Sequence, residues 1–156
     1  MASVKKPSGR LGAALEQAAA IGPRLDAATD RLGKKFQAVE AKLLGVRLGV
    51  KGAVDFPLYP AEGGGDAPLH PGFSLRLLFC RFGEAWRLVI EERPEGNDFR
   101  PEDVTLKPLQ AASRRVRLAA VDLLPELVES MVSNGEALIS EIERRIVDVD
   151  AFIDEF

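Results

Sequence analysis

The chain has 156 residues and a mass of 16.9 kDa, enough for one sizeable core. Its 46% hydrophobic and 29% charged residues, with a mean hydropathy of -0.02, exclude a collagenous, membrane-spanning or wholly disordered protein. A net charge of -3 argues against a protein that exists to coat nucleic acid, and one Cys with one His supplies neither a disulfide framework nor a single-chain zinc site.

Lys5 and Lys6 are followed by Pro7, Ser8 and Gly9 rather than by an apolar stretch, which predicts a flexible basic tail over 1–10 and a cytoplasmic protein. No apolar run approaches the roughly 20 residues that a membrane span needs.

From residue 11 the apolar or small positions are Leu11, Leu15, Ala18, Gly22, Leu25, Thr29, Leu32, Phe36, Val39 and Leu43. Alternating steps of four and three make a heptad seam and predict a helix over 11–44. Gly22-Pro23 predicts a kink or short break in it, because proline lacks the amide that would bond to Ala19.

Residues 46–58 alternate strictly, with Val46, Leu48, Val50, Gly52, Val54, Phe56 and Leu58 on one side, and predict a first strand. The stretch 59–72, with Gly63-Gly64-Gly65, reads as a loop. Residues 73–82 and 85–93 read as two strands joined by a two-residue turn at Gly83-Glu84. The first places Phe73, Leu75, Leu77 and Phe79 on one face, and the second places Trp86, Leu88 and Ile90. A second loop over 93–103 leads to a short fourth strand at 104–107, ended by Pro108. The sheet as a whole spans 46–107.

After Pro108 the period returns to 3.6. It predicts a helix over 109–124 and, with Pro125 in its first turn, a longer one over 125–155. The fold class is therefore α+β: a long N-terminal helix, a three- to four-stranded antiparallel meander and two C-terminal helices, in one domain from residue 11. The order of long helix, small sheet and long helix resembles prefoldin-type chaperone subunits in architecture, with no motif in common.

The last helix carries a stripe that includes Leu138, Ile142, Ile146, Val149, Phe152 and Ile153, interrupted only by Arg145. Residues 1–51 hold ten Lys or Arg against four Asp or Glu, whereas residues 120–156 hold two against ten. A basic arm and an acidic helix are the asymmetry of surfaces that pair. Helices of about 50 and 45 Å also exceed the roughly 40 Å width of a compact globule of this length, so one of them overhangs. The expected interface comprises Leu25, Leu32, Phe36, Val39 and Leu43 on the first helix. On the last it comprises Leu138, Ile142, Arg145, Ile146, Val149, Phe152 and Ile153. The helices are expected to pair within one chain or between chains, and the partner between chains is a second copy, a dimer above all, or another protein.

Chemistry is thinly supplied. The glycine run is followed by Asp66 rather than by Gly-Lys-Ser, so no phosphate loop is present. Ser113, Ser130, Ser133 and Ser140 lack a nucleophile elbow. Cys80 reads as a buried thiol and His70 as an exposed loop histidine. Glu91 and Glu92 point to opposite faces of a strand, and Asp150 and Asp154 have no third ligand for a metal. No cofactor, metal or catalytic group is expected. Arg114, Arg115 and Arg117, with Lys107 and Arg100 nearby, are a concentrated basic group suited to phosphates. The leading expectation is a non-enzymatic scaffold or accessory protein that self-associates through its helices. The alternative is a nucleic-acid-associated protein using that Arg cluster, or else the cluster pairs with acids of its own chain.

Overall fold

A computed structural model describes residues 9–58, 68–96 and 100–156. The basic tail up to residue 8 and the triple glycine lie outside them. The fold is α+β, in the order helix, strands, helix, and the strands form one antiparallel sheet. Two compact units divide the chain, one reaching to Val39 and the other running from Glu40 to Phe156.

Helix α1 (Arg10–Val46) is continuous through Pro23, so the short break that the proline allows does not occur. One bond of the ladder is lost there, and the carbonyl it frees belongs to Ala19, an exposed residue. Along the seam Leu11, Leu15 and Leu25 are exposed, whereas Phe36 is buried.

The four strands are β1 (Gly52–Asp55), β2 (Phe73–Phe82), β3 (Ala85–Pro94) and β4 (Thr105–Pro108), side by side in chain order. Gly83 adopts a φ of 65° in the tight turn between β2 and β3, a conformation that glycine takes without a Cβ clash. The alternation over 46–58 overstates the first strand, since only Gly52–Asp55 pairs with β2. Its first residue still belongs to α1, and Arg47 and Gly49 take left-handed conformations that turn the chain before pairing begins. Period two marks extended chain and does not by itself supply a neighbour.

Both faces of the sheet are buried at its centre. Leu77, Phe79, Leu88 and Ile90 share one face, as the alternation predicts, but Leu78 and Val89 on the other are equally enclosed, beside Cys80, Ala53 and Phe82.

Helix α2 (Arg114–Asp154) is one continuous helix, where two meeting at Pro125 were expected. The segment before it is a 3-10 turn, Leu109–Ala111, and Ser113 caps α2 by accepting the amide of Val116 at 3.3 Å. Pro125 costs the ladder its bond to Val121, a residue on the solvent side. The helix is held across that point by Leu123 and Leu127, which are both buried. Among the described residues no helix is long and apolar enough to cross a membrane.

Candidate interaction surface

The first half of α2 is anchored to β1, an edge strand. Ser130 Oγ accepts the amide of Ala53 at 3.0 Å, and one turn later Asn134 Nδ2 donates to the carbonyl of Lys51 at 2.6 Å. These bonds satisfy backbone groups of an edge that would otherwise recruit another strand. Between them Met131 and Leu127 press on Gly52. A Cβ there would stand 2.5 Å from Met131 Cγ and 3.1 Å from the carbonyl oxygen of Leu127. In the sequence Ser130 stands in no hydrolase motif and Asn134 in no motif of any kind. Their spacing of four is the only trace of this contact in the sequence, and its partner strand is some 80 residues away.

Beyond Gly135 the helix changes character. Every residue over 136–156 is exposed, although the apolar pattern continues, with Arg145 its one interruption. Leu138, Ile142, Ile146 and Val149 are 46 to 55% exposed, and Phe152 and Ile153 are 60 and 61% exposed. With Ile139 they sum to on the order of 600 Å² of apolar surface, at the upper end of what soluble monomers leave uncovered. The seven residues expected on this helix thus lie together on one open surface.

Arg145, the single charge on the stripe, turns outward along its rim. Its Nε donates to Glu141 Oε1 at 2.9 Å, one turn back, and Arg144 forks onto the same carboxylate at 2.7 and 2.9 Å. The two guanidiniums hold the Glu141 carboxyl below the usual glutamate range, Arg144 having the larger effect.

The five residues expected on α1 are not equivalent. Leu25 is exposed, Leu32, Val39 and Leu43 are half-buried, and Phe36 is buried.

The basic group is largely engaged. Lys107 Nζ lies 2.5 Å from Glu92 Oε1, and Arg115 donates to the carbonyl of Pro68 at 3.0 Å. Burial, the largest single influence, raises the carboxyl of Glu92, but Lys107, His70 and Thr105 together outweigh it and hold the group below its usual range. Glu91, on the opposite face, is bonded by Arg93 at 2.6 Å. His70 is half-buried rather than fully exposed. It stacks on Phe73 at a centroid distance of 4.4 Å and stands 3.7 Å from Glu92. Cys80 is buried, and burial pushes its thiol above the ordinary value.

Comparison of the chain with protein-family models, with curated proteins and with solved structures finds no match.

Proposed function

We propose that this chain is a non-enzymatic scaffold or accessory protein that self-associates, as a dimer, through the free half of α2. The observation that carries the reading is the contrast within that helix. Up to Gly135 the helix buries Val116, Ala120, Leu123, Leu127 and Met131, whereas from Leu138 onward every residue of the apolar pattern faces water. A second copy covers the stripe at a cost in ordering far below that of leaving it wet. The estimated area approaches the roughly 800 Å² that each partner contributes to a standard interface. Acidic flanks at Glu141, Glu143, Asp148 and Asp150 limit non-specific association, and the ion pairs of Arg144 and Arg145 on Glu141 reduce repulsion within the helix.

The nucleic-acid alternative draws less support, because Lys107 and Arg115 already have partners in their own chain. Size-exclusion chromatography with light scattering tests the reading. A mass of twice 16.9 kDa at micromolar concentration is expected, and a strictly 16.9 kDa species overturns it.

A further inference from the structure

At the end of α1 the chain turns through two left-handed residues, Arg47 at a φ of 55° and Gly49 at 62°. The amide of Arg47 bonds back to the carbonyl of Leu44 at 3.1 Å, closing the helix. The turn opens a cleft of about 150 Å³ whose apolar walls are Leu43, Leu44, Leu48, Phe79, Trp86 and Met131. The rings of Phe79 and Trp86 lie 5.6 Å apart.

Two guanidiniums belong to this place. Arg47 lines the cleft itself. Arg81 stands directly opposite Trp86 in the register of β2 and β3, so both side chains rise from the same face of the sheet. Among the described residues neither arginine has an ion pair or a side-chain hydrogen bond. Glu40, an acid on the same end of α1, is occupied by the amide of Leu88. A position at the helix end with positive φ is ordinarily glycine, and an L-residue there carries backbone strain. Arg47 therefore places its charge beside an apolar cavity at a local cost that glycine would not incur.

We propose that this cleft is a binding site for a small amphiphilic carboxylate. The hydrocarbon lies against Trp86, Phe79 and the leucines, and the carboxylate meets Arg47, with Arg81 adding positive potential. An apolar cavity of about 150 Å³ accommodates a benzene-sized guest, which sets the length at roughly six to eight carbons. A planar guanidinium fork binds a carboxylate bidentately, so a neutral analogue of equal length loses the polar half of the recognition.

Trp86 is the only tryptophan in the chain, so its emission reports on this cleft. Titration of the full chain with hexanoate is expected to give a saturable change centred at about 1 mM, the affinity a ligand of that size reaches. Hexan-1-ol should bind at least about tenfold more weakly, one ion pair's worth of discrimination. Arg47→Gly removes the guanidinium and suits the positive φ, so the variant keeps the fold. It should weaken hexanoate by about tenfold and leave hexan-1-ol unchanged, while Arg81→Gln weakens hexanoate by a smaller factor. No saturable change up to about ten times the expected midpoint overturns the proposal. So does equal binding of acid and alcohol, or hexanoate binding indifferent to Arg47→Gly.

Discussion

The carboxylate of Glu40 accepts a hydrogen bond from the amide of Leu88 at 3.0 Å, joining the last turns of α1 to the middle of β3. Leu88 is fully buried, and β4 stops short of it, its last pairing being Pro108 with Val89. Among the described residues no strand reaches this amide on that side, and a side chain from a helix takes the strand's place. Glu40→Ala leaves a buried N–H without an acceptor and is expected to destabilise by about 1–3 kcal/mol. Glu40→Gln keeps an acceptor and should cost under about 1 kcal/mol. Urea unfolding of both variants, with hydrogen exchange at Leu88, checks the pair.

Gly52→Ala tests the seat of α2 on β1. The added carbon meets Met131 Cγ at 2.5 Å and a main-chain oxygen of the helix at 3.1 Å, neither of which is the free end of a side chain. Overpacking of this kind costs about 1–3 kcal/mol and should appear as a lower urea midpoint.

Glu92 ties stability to pH. Its folded pKa is depressed, so the stabilisation is present above the unfolded value of about 4.3 and is lost as pH falls through the lower folded value. Stability should decline from near pH 4.5 downward. Glu92→Gln should flatten that decline and, at pH 7, cost about 1 kcal/mol by leaving Lys107 without its carboxylate. Thermal melts across pH 3 to 7, a span set by the ordinary glutamate range, make the comparison.

Arg145 lies on the rim, with its side chain 67% exposed. Arg145→Glu brings a like charge to Glu141 one turn away, and the expected loss of helix stability is about 0.5 kcal/mol or less. A melting temperature lowered by more than a few degrees would place Arg145 in a buried contact instead.

Local chemistry made much of this fold legible. The ends of β2, the turn at Gly83-Glu84 and the stop at Pro108 follow from alternation and turn residues, and the structure places each within one residue of the expected position. The expected break at Pro125 is absent for a physical reason. A proline weakens a helix by a fixed local amount, whereas continuity is decided by everything the helix binds on both sides, as Leu123 and Leu127 do around Pro125. Burial of Leu78 and Val89 as well as Leu77 and Leu88 escaped a one-face reading, since a continuous apolar run carries no sign of what covers its second face. The stripe from Leu138 to Ile153 was legible residue by residue, but not the point at which it leaves the sheet. That point is set by Ser130 and Asn134 meeting a strand far away in sequence. Phe36, on the heptad seam of α1, is buried, and a heptad pattern marks an apolar face without saying what covers it.

In the proposed dimer the free half of α2 joins two copies. Ile142 and Ile146 are each about half exposed in the single chain, so Ile142→Asp/Ile146→Asp leaves the fold of one copy intact, as circular dichroism would show. Sedimentation velocity across a micromolar concentration series should give a dimer for the wild-type chain. The double variant should give a monomer, its dissociation constant raised at least about a hundredfold by the loss of two buried isoleucines. A wild-type chain that sediments as a monomer throughout, or a double variant that dimerises as the wild type does, would contradict the account.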